Sequence, residues 1–443
     1  MGRIEWRVPL ALLMIVALAL TGCRGGGEKP TTAPPTRAPG EAITLEFWYS
    51  LGGNSGKAVE ALVAEFNQTH SDIKVNATYQ GGYADIMAKV WSAVYAKQTL
   101  PHVAHLGAAP LLGDTGAIVP ITDFTDGPNG IDRSLIRDSF WDYNSAQGQL
   151  WSMPFNNSVP LLYYNRDLFV QAGLDPNSPP KTWEEVIVYG KALTKDTDGN
   201  GEIDQWGLNT HKDTHWYLSA MFLENGARII SEDETEVLYN SPEAVEMLEL
   251  WGKFVTEHRI MPPVQHNEAK SDFLAGKLGM FLASSARLPG FLEEAPFQLG
   301  AAPLPSVAGK DPVEPIGGAS LVIFQNDDPA ILDAAWEFVK WMTSPQSSLY
   351  LSTHTGYVPI YENALDWPEL ATYLEENPLR RVPIEALEYS YAIPLFVSLG
   401  TSDGQLRKAI EAVELGAATA QDALNTAKAT VDADIAERLQ EQK

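Results

Sequence analysis

Apolar and polar residues follow two different spacings in the early part of the chain. Three runs rich in β-forming residues, 43–50, 73–79 and 102–106, have the length and composition of buried strands. The segments 56–69 and 83–97 between them carry apolar residues at the three- and four-residue spacing of an amphipathic helix. This alternation predicts a parallel, doubly wound sheet, in which ligands bind at the loops beyond the carboxyl ends of the strands.

The segment 153–183 predicts a passage between two sheets. Residues 158–165, SVPLLYYN, have the composition of a strand. Pro160 has no N–H to contribute to a ladder, which suits a strand that leaves one sheet and enters another. A short helix is predicted at 166–172, and Gly173 ends it in the position that favours a left-handed residue.

Further along the chain, helical spacing predominates until a second strand-like run, 316–324, which we predict to return to the first sheet. The other predicted helices are 242–257, 270–278, 329–342, 404–415 and 420–439, with a strand at 280–284. We therefore predict an α/β fold with two discontinuous lobes, each a doubly wound sheet with helices. Lobe 1 is 42–157 plus 304–355, and lobe 2 is 158–303 plus 356–443. Three hinge crossovers are expected near 157–161, 303–315 and 355–359.

The first residues predict export rather than a folded element. Arg3 and Arg7 precede an apolar run, 9–21, that is too short for a comfortable membrane span. Cys23 is the only cysteine and follows Leu-Thr-Gly, as in a bacterial lipoprotein signal. We predict a signal peptide at 1–22 and lipidation of Cys23, which would anchor the protein to the outer face of a membrane.

Composition and charge add to this picture. Residues 23–41 are rich in Gly, Pro and Thr and predict a disordered tether. The chain has 31 Lys and Arg against 57 Asp and Glu, a formal net charge of −26. A protein this acidic is a poor partner for nucleic acid. An anionic ligand would have to be held by a few local donors that work against the overall field.

One segment has the pattern of a calcium loop. Oxygen-bearing side chains with EF-hand spacing lead to Gly207, which stands where the bidentate acid would be required. Those side chains are Asp196, Asp198, Asn200 and Asp204. A structural calcium site and a solvated acidic turn therefore both remain open, and no other cofactor is expected.

Candidate catalytic motifs are few. The sequence contains neither HExxH nor GxSxG, and no second cysteine. His211 and His215 have helical spacing, but a loop or surface pair is the simpler interpretation without further ligands. We therefore predict a binding protein rather than an enzyme. A secreted phosphodiesterase on the same scaffold is the hypothesis from another class.

Several motifs are similar to those of one family. They are GGYAD (81–85), PFNNSVPLLYYN (154–165), AGLDPNSPPKTW (172–183), FLAGKLGMFLASS (273–285), IGGASL (316–321) and HTGYVPI (354–360). Through them the chain resembles bacterial extracellular solute-binding proteins of ABC importers, most of all those for sn-glycerol-3-phosphate and its diesters. The resemblance implies the class II periplasmic-binding-protein fold, which closes on its ligand, a monomer, and a membrane permease as partner.

The resemblance also implies a set of ligand contacts from separate segments. These are Tyr83, Ser158, Ser284, Gly318, Tyr357 and Arg407. Arg407 would offer a planar, permanently charged group to a phosphate. The serines and tyrosines would offer hydroxyls, and Gly318 would allow a backbone N–H to approach the ligand.

Two positions depart from the family pattern. Ala108 stands where the family has an acid that binds the glycerol hydroxyls, and only Trp216 remains of two tryptophans. A wider pocket follows, and Trp216 or a tyrosine could face a quaternary ammonium group. We expect glycerol-3-phosphate or a glycerophosphodiester such as glycerophosphocholine. The alternative ligand is a mono- or oligosaccharide, in which case Arg407 would be structural.

Overall fold

The computed structural model describes residues 42–264 and 266–441. The predicted signal peptide, the lipidation site Cys23 and the tether 23–41 lie outside these residues. No helix in the described part of the chain is both long and apolar enough to cross a membrane.

The first lobe is built on a five-stranded mixed sheet. Its N-terminal elements are β1 (Ile43–Tyr49), α1 (Gly53–Thr69), β2 (Ile73–Tyr79), α2 (Tyr83–Tyr95), β3 (Val103–Leu106), α3 (Thr122–Thr125), α4 (Asp138–Tyr143), β4 (Ser145–Ala146), β5 (Gln149–Leu150) and β6 (Met153–Ser158). Strand β1 runs parallel to β2 and β3, as the β-α-β-α-β pattern predicts. The apolar residues of α1 face the sheet because they recur at helical spacing, and six of its residues are buried.

The passage between the sheets lies at a single residue. Strand β6 belongs to the first sheet and ends at Ser158, and the next strand begins at Pro160 in the second sheet. The predicted strand 158–165 is therefore two strands with Val159 between them. Every residue of both strands is buried, including the polar residues Asn156, Asn157 and Ser158 at the end of β6.

The second lobe is built on a four-stranded sheet in the order β10-β7-β9-β8. Its elements are β7 (Pro160–Asn165), α5 (Arg166–Gln171), α6 (Trp183–Leu193), β8 (Trp206–Thr210), α7 (Thr214–Glu224), α8 (Pro242–Thr256), α9 (Ala269–Leu274), β9 (Leu278–Ser284), α10 (Leu288–Glu294) and β10 (Leu299–Pro303). Strands β8 and β9 are parallel neighbours. The loops that follow them therefore emerge at the same edge of the sheet.

The rest of the chain returns to the first sheet and then adds helices. The elements are β11 (Glu314–Pro315), β12 (Gly317–Ile323), α11 (Pro329–Met342), α12 (Pro345–His354), α13 (Pro368–Glu376), α14 (Val382–Ala386), β13 (Ser390–Tyr391), α15 (Leu399–Glu414) and α16 (Ala420–Glu441). Strand β12 lies antiparallel between β3 and β6 and completes the order β2-β1-β3-β12-β6. Helix α15 packs against α8 and α16 and so joins the second lobe.

The predicted two-lobed α/β fold is confirmed, with local corrections. The predicted helix 270–278 is α9, which ends at Leu274, because Gly276 has a φ of +75° and β9 already begins at Leu278. The helix predicted from residue 404 begins at Leu399. The third crossover, 355–359, contains no strand. The residue-level boundaries of the lobes stay predictions.

Two buried carboxylates hold the second crossover. Glu224, the last residue of α7, accepts hydrogen bonds from the backbone N–H groups of Val307 (2.9 Å) and Val313 (3.0 Å). Glu314 accepts one from Leu304 N–H at 2.8 Å. Burial raises the pKa of both carboxyl groups, that of Glu224 to about 7, and the nearby Glu224 charge adds to the shift of Glu314. Helix α7 therefore has its last residue, Glu224, at the second crossover and its first turn, with His215 and Trp216, at the cavity described below.

Candidate functional site

A cavity of about 650 Å³ lies between the two sheets. Residues from both lobes line it, and among them are six of the seven positions predicted to contact a ligand. These six are Tyr83, Ser158, Trp216, Ser284, Gly318 and Tyr357. They come from segments far apart in sequence and meet because strands and helices of both sheets end at this cleft. Their contact with a ligand stays a prediction.

Two glycines of the first sheet allow close approaches, one to the neighbouring strand β6 and one to the opposite wall of the cleft. Gly318 has a φ of +110°, and a Cβ there would clash with the carbonyl of Asn156. A Cβ on the neighbouring Gly317 would lie 2.9 Å from the ring of Trp216 on α7. The two glycines that open β12 therefore allow Asn156 and Trp216 to lie this close to the strand.

The hydroxyl groups in the cleft are already oriented. The hydroxyls of Tyr83 and Tyr357 are 3.4 Å apart, and Asn156 Nδ2 donates to that of Tyr83 at 2.8 Å. Ser284 Oγ accepts from the N–H of Ala286 at 3.2 Å, so its own proton remains available. Tyr143, which the sequence did not single out, also lines the cleft and donates to the Gly318 carbonyl at 3.0 Å.

The second lobe contributes two histidine–carboxylate pairs. His211 Nδ1 lies 2.7 Å from Asp213 Oδ2, and His215 Nε2 lies 3.7 Å from Asp403 Oδ2. Burial alone would raise the pKa of Asp213, but the hydrogen bond and charge of His211, with the charges of His215 and Lys212, outweigh it and leave the pKa lowered. Burial lowers the pKa of His215 and raises that of Asp403. The acids of the cleft therefore already have partners within the protein.

Two cations of the cleft have no such partner. Lys212 follows β8 and Arg287 follows β9, so both extend from the edge where these parallel strands end. Both side chains are exposed, and within 42–264 and 266–441 neither forms an ion pair or a hydrogen bond. Sequence reasoning missed both. The available signal was the position of Arg287 three residues after the predicted contact Ser284.

Arg407 is the one predicted ligand contact that does not line the cavity. It lies on α15, one turn beyond the cleft-lining Asp403, but its side chain is exposed and does not line the cavity. Its charge reaches Asp403 and lowers the pKa of that carboxyl against the effect of burial. Arg287 lines the cavity and Arg407 does not, and the predicted contact of Arg407 with a ligand stays a prediction.

The Asp196–Asp204 loop, the candidate calcium site, is bonded to itself. Asp196 accepts from the N–H groups of Gly199, Asn200 and Gly201, at 2.7, 3.2 and 2.7 Å. Asp204 accepts from Thr197 at 2.6 and 2.8 Å. Among the described residues no three His, Cys, Asp or Glu side chains converge as metal ligands. A structural calcium ion at this loop stays a prediction.

Two α/β lobes facing across a polar cleft, with crossovers between them, define the class of two-lobed ligand-binding proteins. The comparisons agree. The profile of the bacterial extracellular solute-binding proteins matches residues 61–378, and the chain belongs to this family. Its role is that of the substrate-binding protein of an ABC importer, and it is not an enzyme.

Curated relatives cover nearly the whole chain. The chain is 28% identical to the sn-glycerol-3-phosphate-binding periplasmic protein UgpB of Pectobacterium atrosepticum and 29% identical to that of Escherichia coli K12, over 87% of this chain and 90% of each relative. UgpB of Mycobacterium tuberculosis in complex with glycerophosphocholine superposes with a TM-score of 0.78 at 24% identity, covering 90% of this chain and 99% of that one. The cyclic α-maltosyl-1,6-maltose binding protein of Arthrobacter globiformis gives 0.77 at 24% identity, over 89% and 99%.

Proposed function

We propose that this protein captures an anionic polyol, glycerol-3-phosphate or a glycerophosphodiester, in the cleft and delivers it to a membrane permease. The observation that carries the proposal is the pair of cations Lys212 and Arg287 at the edge of the second sheet, neither of which has an ion-pair partner among the described residues. In a chain with a net charge of −26, two cations without carboxylate partners in the cleft favour an anionic ligand. The ligands named for the UgpB relatives have the same chemistry.

Closure follows from the position of the cleft. A ligand that touches the tyrosines of the first lobe and the cations of the second binds the closed form better than the open one. Only this difference in affinity can shift the population toward closure. A phosphate held by Arg287 through charge-assisted hydrogen bonds, with its polyol part against Tyr83 and Ser158, would bridge both lobes.

A sugar is the second candidate ligand, and the shape of the cleft favours it. Ala108 lines the cavity and removes an acid expected there, while Trp216 supplies an aromatic wall. A cavity of about 650 Å³ also has room for more than glycerol phosphate. The neighbour from Arthrobacter globiformis is named for a cyclic tetrasaccharide ligand of this kind.

Calorimetric titration of the full chain in detergent separates the two ligands. The panel is glycerol-3-phosphate, glycerophosphocholine, glycerol, maltose and trehalose. Heat with the phosphate compounds and none with glycerol or the sugars is the expected result. Heat with a sugar alone would keep the receptor function and overturn the anionic ligand.

We also propose that Cys23 carries a lipid and holds the protein, as a monomer, on the outer face of the membrane beside its permease. The lipoprotein-like sequence before Cys23 supports this. Metabolic labelling with a fatty acid should mark the wild-type chain and not Cys23→Ala, which should be released in soluble form. Labelling of both chains would exclude Cys23 as the site.

A further inference from the structure

A buried chain of polar side chains lies behind the floor of the cleft. Ser50 Oγ lies 3.0 Å from His105 Nδ1, and His105 Nε2 lies 2.6 Å from Asn156 Oδ1. Asn156 Nδ2 lies 2.8 Å from the hydroxyl of Tyr83. Ser50 and Tyr83, the two ends of this chain, both line the cavity, whereas His105 and Asn156 are fully buried. We call these four residues the relay.

One backbone group determines how the amide of Asn156 is oriented. The N–H of Ala319 lies 3.1 Å from Asn156 Oδ1, and a backbone N–H can only donate. The atom that faces it must therefore be the amide oxygen. The amide nitrogen then faces Tyr83 and donates a hydrogen bond to its hydroxyl oxygen.

The amide in turn determines the tautomer of His105. Asn156 Oδ1 has no proton to give, so the proton of their hydrogen bond must be on His105 Nε2. Burial lowers the pKa of His105 to about 4, so the ring is neutral near pH 7 and Nδ1 carries a lone pair. The Ser50 hydroxyl therefore donates to Nδ1, or to the His105 carbonyl at 3.3 Å. In either case its proton points inward and its oxygen remains an acceptor for the cleft.

Tyr83, at the other end of the relay, belongs to a pair that can donate a hydrogen bond into the cleft, whereas Ser50 can accept one. The oxygen of Tyr83 accepts from Asn156, so its proton is not used by the relay. Tyr83 and Tyr357 together have two hydroxyl protons and share one contact of 3.4 Å, which uses only one of them. At least one tyrosine proton therefore remains to be donated into the cleft.

We propose that His105 and Asn156 are positioning residues that make Ser50 an acceptor for a ligand hydroxyl and the tyrosine pair a donor to a ligand oxyanion. This inference rests on the proposed function and narrows its ligand to one with both groups, as a polyol phosphate has. Ser50 supplies an acceptor in a cleft where Ala108, which cannot accept from a hydroxyl, replaces the expected acid.

The first experiment needs no ligand. Proton–nitrogen correlation spectra of the ¹⁵N-labelled protein distinguish the tautomers of its eight histidines, and His105→Gln identifies the signal of His105. We expect a neutral ring with the proton on Nε2 from neutral pH down to about pH 5. A proton on Nδ1, or titration above about pH 6, overturns the relay.

The second experiment compares ligands that lack one group. Ser50→Ala should weaken glycerol-3-phosphate about fivefold to tenfold and leave n-propyl phosphate, which has no hydroxyl, unchanged. Tyr83→Phe should weaken both ligands to a similar extent. Wild type should bind glycerol-3-phosphate more tightly than n-propyl phosphate, and both Ser50→Ala and His105→Leu should reduce this difference in affinity. His105→Gln should keep part of the difference, because an amide can both donate to Asn156 and accept from Ser50.

The outcomes separate this inference from the proposed function. The assigned polarity is overturned if Ser50→Ala loses the same affinity for both phosphates. It is also overturned if His105→Leu keeps the full wild-type preference for glycerol-3-phosphate over n-propyl phosphate. Both conclusions hold even if the wild type binds glycerol-3-phosphate tightly. If the wild type binds neither phosphate, the proposed function fails, and the tautomer of His105 alone decides whether the relay exists as described. Circular dichroism on each variant checks that the fold is retained.

Discussion

The two sheets present different surfaces to the same cleft. The first sheet offers neutral groups that are held in one orientation by hydrogen bonds within the protein, from Ser50 through His105 and Asn156 to Tyr83. The second offers charges that are only partly matched. Lys212 and Arg287 have no carboxylate partner, and His215 Nδ1 is buried without a hydrogen-bond partner in the described part of the chain.

The difference indicates a division of work between the lobes. The hydrogen-bond network holds its hydroxyls in one orientation before a ligand arrives, so we expect the first lobe to contribute direction and selectivity. Cations without an ion-pair partner gain free energy when an anion reaches them, so we expect the second lobe to contribute most of the affinity. A receptor built this way closes when a ligand satisfies both surfaces together.

The largest effect should come from the charged surface. Arg287→Gln should weaken glycerol-3-phosphate about 10- to 100-fold, because a hydrogen bond to a charged group contributes about 1.5–3 kcal/mol. Calorimetry at low and high salt should also show a smaller salt dependence in this variant.

Arg407→Gln is the matched control, since the same change is made on an exposed arginine outside the cavity. We expect it to change the affinity less than twofold at a surface position. A larger loss from Arg407→Gln than from Arg287→Gln would mean that Arg407 moves into the cleft on closure. In that case Arg407 would be a ligand contact, as the sequence predicted, and would have to be added to the charged groups of the second lobe.

The neutral surface should give a smaller and salt-independent effect. Tyr357→Phe removes one hydroxyl from a neutral pair and should weaken binding about fivefold, since such a hydrogen bond contributes roughly 1 kcal/mol. Titrations at two salt concentrations should show the same ratio to wild type. A ratio that changes with salt would show that Tyr357 acts through a charged neighbour, and the two surfaces would be less distinct than described.

The same contrast explains what the sequence could predict. Strands β1 to β3 and helices α1 and α2 follow from local periodicity, whereas the cleft positions of the hydroxyl residues were implied by the family resemblance of short motifs. The relay could not be predicted, because Ser50 and Asn156 meet His105 across 55 and 51 residues and only the strand register brings them together. Arg287 was missed because it is a polar residue in a short connection without periodicity, and because Arg407 fitted the family motif.

The hinge contains a third polar cluster, whose effect should appear in stability. Folding raises the pKa of Glu224 from 4.5 to about 7 and also raises that of Glu314. A carboxyl group of this kind stabilises the fold fully below its unfolded pKa, and the contribution is lost as the pH rises through the folded value. We therefore expect Glu314→Gln to raise the melting temperature by roughly 2–4 °C at about pH 8 and by less at about pH 5.

A buried carboxylate with completed hydrogen bonds provides the control. Glu414 accepts from Trp251 Nε1 at 2.8 Å, from Val264 N–H at 3.0 Å and from His266 at 3.1 Å. Glu414→Gln should therefore lower the melting temperature at the same pH, because an amide cannot accept all three bonds equally well. Destabilisation by both substitutions would show that the hinge carboxylates are as well satisfied as Glu414.

The smallest effect should be that of calcium on the melting temperature, through the Asp196–Asp204 loop. This loop tests whether a cluster of charges elsewhere in the second lobe also binds an ion. Its carboxylates are exposed and accept hydrogen bonds within the loop, which lowers the pKa of Asp196 and Asp204. Gly207 stands where the bidentate acid of a calcium loop would be, and no three acidic side chains of the described residues converge here. We therefore expect calcium to shift the melting temperature by less than about 1 °C, the same in wild type and Asp196→Asn. A rise of several degrees in wild type, absent from Asp196→Asn, would establish the calcium site that the sequence left open. The second lobe would then have two charged binding sites, the loop for a cation and Lys212 with Arg287 for an anion.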